Sequence, residues 1–276
     1  MKRVCYDVDG NILSVLEAGN KNHPVVIFIH GIPANATLWL KTIEQVSEQG
    51  YYTLAFDMPG FGETQVVEDK YYGIKGTAAL INKWIHQQGF SDIWLVAHDI
   101  GGGVAQYLVT FNEVLYKKLT ISNSIAADSW PVDEMNVLID LARSGQFTTL
   151  ASESELPQGL AQFIKSTFVN KGEITEQLMS TVFIDRKCTS ISGRNNFSAL
   201  LASLDNSDTV DIMTSLRNVK TPTHLIWAMQ DPHQPWDGPG VLLKKTLNVI
   251  KVSKIEQSGH FLQLDAKDEY LKHLLS

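Results

Sequence analysis

"VAHDIGGGVA", residues Val96–Ala105, runs from an apolar stretch into a glycine-rich helical start, and Asp99 stands at the junction. Ala97 lies two positions before it and Gly101 two after it, so both flanks are small where a strand and a helix must approach closely. This is the outline of a nucleophile elbow, with a carboxylate where the commonest version carries a serine. Taken alone, an aspartate N-cap followed by glycine would read the same way, since Asp is a favoured cap residue. A phosphate loop fits worse, because no Lys follows and the spacing is not G-x-G-x-x-G.

Working outward, β-rich runs alternate with helical patterns through the first half: "NILSVLEAG", "HPVVIFIH", "YYTLAFD", "DIWLVAH" and "LYKKLTISNS". The middle runs are almost continuously apolar, as strands covered on both faces by helices are, so a mostly parallel sheet is expected. Between them "ATLWLKTIEQVSEQG" and "YYGIKGTAALINKWIHQQGF" have helical spacing, the first closing at Gly50 as a helix terminus would, and "GGVAQYLVTFNEV" supplies a third helix. From about Ala126 to Leu216 the strand signal vanishes and amphipathic helices such as "VDEMNVLIDLARS" and "LPQGLAQFIKSTFV" take over. Strands return with "THLIWAMQ" and "NVIKVSKIEQ", and "AKDEYLKHLL" ends the chain as a helix. The expected architecture is an α/β core in two parts, 1–125 and 217–276, carrying a helical cap at 126–216. Two separate domains fit less well, because the last strands have no sheet of their own to join.

Composition narrows the partners. The formal charge is −7 over 276 residues and no Lys/Arg run occurs, which argues against nucleic acid and against an anionic membrane surface. Cys5 and Cys188 are far apart and lack metal-ligand spacing, so they read as free thiols of a reducing compartment. Asp7 and Asp9 interrupt the basic start before any apolar stretch develops, so no signal peptide is expected, and a cytoplasmic location follows. No dinucleotide or metal fingerprint is present, so no cofactor and no metal is implied. The partners expected are a small-molecule substrate and water; a homodimer is compatible with the chain.

Chain order decides between elbow and cap. "AMQDPHQP" sets Asp231 just beyond a late strand, and "EQSGHFLQ" sets His260 beyond the next, giving the order nucleophile, acid, histidine at successive C-terminal strand ends. Asp128, beyond an earlier strand, is the alternative acid. "FIHGIPANATLW" supplies a loop whose Ile32 N–H, with the Ile100 N–H, would form an oxyanion hole. His30 and His98 are expected to be buried bracing residues, and "DMPGFGET", from Asp57, a turn without direct chemistry.

The chain resembles the α/β-hydrolase superfamily, and within it the haloalkane dehalogenase and epoxide hydrolase branch with an aspartate nucleophile. The resemblance rests on "HGIP", Trp39, "DMPGFG", "HDIGGG", the helical cap, "QDP" and "SGHFLQ", and spans nearly the whole chain. It implies that Asp99 attacks a saturated carbon to form an alkyl ester of itself, and that His260, oriented by Asp231, activates the water that hydrolyses the ester. Dehalogenases of this branch usually place Trp directly after the nucleophile and Asn in the oxyanion loop, or a second Trp in the cap, where this chain has Ile100 and Ile32. Trp130, early in the insertion, is the substitute donor, or else a residue packing cap on core. Asn195, with Arg194 and Asn196, could reach the pocket or merely be solvated. The epoxide hydrolases use cap tyrosines as acids, and none lies between Tyr116 and Tyr270. The leading expectation is a dehalogenase-like hydrolase of small apolar molecules; the alternatives are an epoxide or lactone/ester hydrolase and a non-catalytic ligand-binding relative.

Overall fold

The apolar runs become strands whose two faces are both covered. In a computed structural model, which describes residues 1–111, 113–151, 155–184 and 186–276, they form one eight-stranded sheet. The strands are β1 (Lys2–Val8), β2 (Asn11–Ala18), β3 (Val25–Ile29), β4 (Tyr52–Phe56), β5 (Ile93–Asp99), β6 (Tyr116–Ser124), β7 (Thr223–Ala228) and β8 (Val249–Ile255), in the order β1-β2-β4-β3-β5-β6-β7-β8. Only β2 runs antiparallel to its neighbours; β4 through β8 pair in parallel. Strand period explains the unbroken hydrophobicity: Ile27 and Leu95 join the core on one side of the sheet, while Phe28 and Val96 join the core on the other.

The first strand is absent from the sequence reading above, which begins the sheet at "NILSVLEAG". Its signal is the Asp9–Gly10 dipeptide, where both residues take positive φ (53° and 80°) and Val8 pairs with Asn11 across a two-residue hairpin loop.

Helices α1 (Leu40–Glu48), α2 (Gly73–Gln88) and α3 (Ile100–Thr110) connect the parallel strands. As expected for a terminus at Gly50, this residue follows α1 in the left-handed region, φ 84°. Between β6 and β7 the described residues contain helices and no strand, beginning with α4 (Asp133–Arg143), α5 (Phe147–Leu150) and α6 (Glu155–Ser166) and ending at Met213–Leu216. No described helix is long and apolar enough to cross a membrane.

The chain passes from β3 to β4 on one side of β3 and then returns to place β5 on the other, so the sheet has its topological switch point between β3 and β5. A crevice opens at such a point outside the carboxyl ends of the strands. The loop carrying Ile32 leaves β3 there, and Asp99 ends β5.

Candidate active site

Asp99 sits between β5 and α3 at φ 53° and ψ −125°, a conformation that costs energy for any residue with a side chain and persists only where its surroundings enforce it. The surrounding glycines permit the enforcement. A Cβ on Gly31 would lie 2.4 Å from Asp99 Cβ, and one on Gly102 would lie 2.0 Å from Ser124 Oγ. The three consecutive glycines therefore let α3 pack against the ends of β3 and β6. Asp99 itself is buried; its Oδ1 accepts the Ile32 N–H at 2.9 Å, and the Ile100 N–H also bonds its carboxylate.

Its other oxygen, Oδ2, faces His260 Nε2 at 3.7 Å. On the far side of that ring, Nδ1 donates to Asp231 Oδ2 at 2.7 Å. Asp231 accepts three further donors: Asn123 Nδ2 at 2.8 Å on Oδ2, and the His233 and Gln234 N–H groups at 2.8 and 3.1 Å on Oδ1. The carboxylate is thus saturated. Asn123, at φ 33° near the end of β6, also clasps the Ala228 backbone through both ends of its amide. Asp128 is exposed on the turn that follows.

The loop bearing His260 is anchored just as firmly. The His260 N–H donates to Thr167 O at 3.0 Å, and Asp265 accepts the Gly259 N–H together with those of Val169 and Asn170. Asn123 and Asp265 escaped the sequence reading, because neither belongs to a spacing motif and their bonds span about a hundred residues.

Burial raises the Asp99 pKa above its ordinary value, against the opposing pull of His260 and of the Ile100 and Ile32 N–H groups. For His260, burial acts downward but is outweighed by the attraction and hydrogen bond of Asp231 and by the charge of Asp99, so its pKa is raised. Burial works against the ionised form of Asp231 too; the His260 charge and the donated hydrogen bonds overcome it and bring the pKa to about 2. His98, its ring tilted by 50° against the His260 ring at 4.7 Å, is held neutral by burial and donates through Nδ1 to Ser122 O. His30 bridges two loops, accepting the Met58 N–H at Nε2 and facing Gly31 O through Nδ1. Asp57, buried, pairs with Arg3 and accepts from Ser14 Oγ and from the Ala36 and Glu63 N–H groups, so it ties the turn after β4 to the Ile32 loop.

Above these groups lies a cavity of about 220 Å³. Its floor is Ile32, Asp99, Ile100 and His260; its walls include Trp130, Leu138, Phe147, Phe163 and Phe197 from the segment between β6 and β7. Trp130 lines it, and its indole N–H is donated to Thr209 Oγ1 at 2.7 Å. Asn195 does not reach the cavity. It is exposed on the helix Ile191–Ser203, whose inward face is taken by Phe197, Leu200 and Leu201; two residues before Phe197 is about 200° round the helix. His233 and Gln234 line the cavity as well, although the sequence reading gave them no role. Among the described residues no cluster suited to a metal ion occurs. Cys5 is exposed and Cys188 buried, and they are not joined.

Comparison with known proteins agrees with this architecture. The family model for the alpha/beta hydrolase fold matches residues 24–267. "Epoxide hydrolase 4" of Mus musculus is 23% identical over 270 residues, covering 91% of this chain and 72% of that one. A pimeloyl-[acyl-carrier protein] methyl ester esterase of Pseudoalteromonas atlantica is 20% identical over 256 residues, covering 91% and 93%. An alpha/beta hydrolase fold protein from Burkholderia ambifaria superposes with a TM-score of 0.87 at 16% identity, covering 99% and 96%. The chain belongs to the alpha/beta hydrolase fold family and is a hydrolase of that fold.

Proposed function

We propose that Asp99 is the nucleophile of a two-step hydrolysis through an alkyl ester of its own side chain. The observation that carries this reading is the division of labour between its oxygens: Oδ1 accepts the Ile32 N–H, and Oδ2 is turned toward His260 Nε2. In the first step Oδ2 attacks a saturated carbon of the substrate, and the bond to the leaving atom breaks with its electron pair departing on that atom. Oδ1 becomes the ester carbonyl oxygen. In the second step His260 Nε2 takes a proton from water, whose oxygen adds to the Asp99 carboxyl carbon. The negative charge develops on Oδ1, already at the Ile32 N–H, with the Ile100 N–H also on the carboxylate; one such donor is worth about 10²–10³ in rate. Collapse expels the alcohol, which recovers the proton from His260.

Esterification prepares the second step. It removes the Asp99 charge, one of the influences raising the His260 pKa, so the imidazole becomes easier to deprotonate when a base is needed. Asp231 then stabilises the imidazolium that forms.

The cavity favours a small, neutral, apolar substrate. It is smaller than the roughly 300–1,000 Å³ of pockets that enclose drug-sized ligands. Among its described lining residues there is no Lys or Arg, and Glu134 lies at its edge. An anionic substrate would meet the Asp99 and Glu134 carboxylates with no Lys or Arg to offset them. We take a halide as the leaving atom, because among the described residues no tyrosine lines the cavity to protonate an opening epoxide. Epoxide hydrolysis is the second reading, favoured by the epoxide hydrolase among the relatives. Ester or lactone hydrolysis is chemically weaker: a carboxylate attacking an acyl carbon would give an anhydride while expelling an alkoxide.

Intact-mass measurement of the His260→Gln variant after incubation with 1-bromobutane or 1,2-epoxybutane tests the reading. A stable adduct mapped to Asp99 is expected. No adduct across halides and epoxides would favour a ligand-binding protein that lacks turnover.

A further inference from the structure

We infer that Asp265 is a positioning residue for His260: its buried carboxylate clamps the histidine loop to the chain that leaves α6, and so keeps the imidazole beside Asp99 while the ester is hydrolysed. The inference rests on the two-step reading above.

The three groups of the proposed unit are held differently. Asp99 is fixed by its strained turn and by backbone donors, and Asp231 by four hydrogen bonds. Among the described residues the His260 side chain hydrogen-bonds Asp231 alone, through Nδ1; its Nε2 lies 3.7 Å from Asp99 Oδ2, beyond a hydrogen bond. Esterification of Asp99 then removes a charge that attracts the ring. In the second step, therefore, the reach of Nε2 toward the Asp99 carboxyl carbon is set by Asp231 and by the backbone on which the ring is mounted.

That backbone is held from the segment between β6 and β7. The His260 N–H donates to Thr167 O at 3.0 Å, just past the end of α6. Asp265, closing the short helix Leu262–Asp265, joins the same two pieces of chain. Its Oδ2 accepts the Gly259 N–H at 2.6 Å and the Val169 N–H at 3.0 Å, and its Oδ1 accepts the Asn170 N–H at 2.7 Å. The exposed Asn170 side chain returns to Asp265 O at 2.8 Å and to Gln257 O at 3.3 Å. The approach is close: a Cβ on Gly259 would lie 1.9 Å from Thr167 O. Phe168 and Phe261 stack across the seam at 5.7 Å. Thr167 also lines the cavity, as do Leu160 and Phe163 of α6. One carboxylate thus ties the loop that carries the base to the wall that would enclose the substrate.

Asp265→Asn keeps the size and breaks the clamp. One amide oxygen replaces two carboxylate oxygens, and the NH₂ group is turned toward backbone donors, so at least one of the three N–H groups loses its acceptor.

The test separates the two chemical steps. Ester formation is followed by intact mass in the His260→Gln background, with and without Asp265→Asn, using 1-bromobutane and 1,2-epoxybutane. Ester decay is followed by quenched single turnover in the protein that retains His260. Formation should keep the parent rate, because that step does not use His260 as a base. Decay should slow by about 10²-fold, the size expected when a reacting group is misplaced by about 1 Å. Equal slowing of both steps, or unchanged decay, would overturn the assignment, since a general packing defect has no reason to spare formation. If Asp265→Asn does not melt as a folded protein, Asn170→Ala decides: it deletes two surface bonds of the same seam and should slow decay by a smaller factor with formation unchanged, whereas unchanged decay would overturn the assignment. Absence of ester with both probes in the His260→Gln protein that retains Asp265 would instead remove the two-step reading, and this role of Asp265 with it.

Discussion

At the floor of the cavity Asp99 is gripped by backbone N–H groups, with Asp231 behind His260 accepting four hydrogen bonds, whereas the wall contributed by the segment between β6 and β7 presents Leu138, Phe147, Phe163 and Phe197. The floor is polar and saturated, each group fixed by at least one partner from another strand end. The wall is apolar and held by side-chain packing, as in the edge-to-face contact of Phe147 with Phe197. Bond formation needs the first kind of surface, where donors are aimed before charge develops. Exclusion of water and selection of size need only the second. The contrast predicts that substitutions in the floor change which step fails, and that substitutions in the wall change which substrate fits.

The largest effect should follow Asp99→Asn. The amide is a poor nucleophile, so turnover should fall by about 10⁴-fold or more, the scale seen when a residue of a catalytic unit is lost. Because the substitution removes a buried charge, thermal melting should show a folded protein. Comparable residual turnover would break the contrast by showing that chemistry does not depend on this carboxylate.

Next comes Asp231→Asn, expected to slow ester hydrolysis by about 10²–10⁴-fold, the usual contribution of acid–base catalysis, while slowing ester formation much less. In the proposed scheme His260 acts as a base only in the second step, and an Asn here would turn at least one N–H toward existing donors. Pre-steady-state kinetics in which only ester formation slowed would count against Asp231 as the orienting acid.

The fold was legible because its signals are local. The runs in β3 and β5 need only neighbouring residues to declare burial on both faces, and Asp99 with Ala97 and Gly101 declares a strained turn within five residues. Asp231 and His260 were legible through chain order. What stayed hidden depends on phase or on distance. Asn195 looked available in a polar stretch, but the hydrophobic face containing Phe197 rotates it to the surface. His233 and Gln234 gave no signal, because their place on the cavity wall is set by the fold and not by any spacing.

The pH dependence sharpens the contrast by separating the two floor groups. Ester formation requires ionised Asp99, whose pKa is raised by burial, so its rate should fall as pH drops through a value above the ordinary carboxylate range, approaching tenfold per pH unit below it. Ester hydrolysis requires neutral His260 and should instead rise with pH through the imidazole pKa of the ester form. Single-turnover formation and decay rates against pH would reveal two distinct limbs. A single shared limb would show that one group governs both steps.

Trp130→Phe should have the smallest effect and bears most directly on the wall. The substitution keeps an aromatic ring on the cavity and deletes the N–H that reaches Thr209 Oγ1. If the wall serves packing, only that bond is lost, costing about 1 kcal/mol of stability, as is typical for one net hydrogen bond. Thr209 remains tied to Ala127 O, so the turn after β6 keeps an anchor. Ester formation with 1-chlorobutane should then stay close to the parent rate, and thermal melting should shift by a few degrees. A loss concentrated on chloride over iodide would mean that the indole swings from Thr209 to the departing halide. The wall would then take part in bond breaking, and the division between an active floor and a passive enclosure would fail where the two surfaces meet.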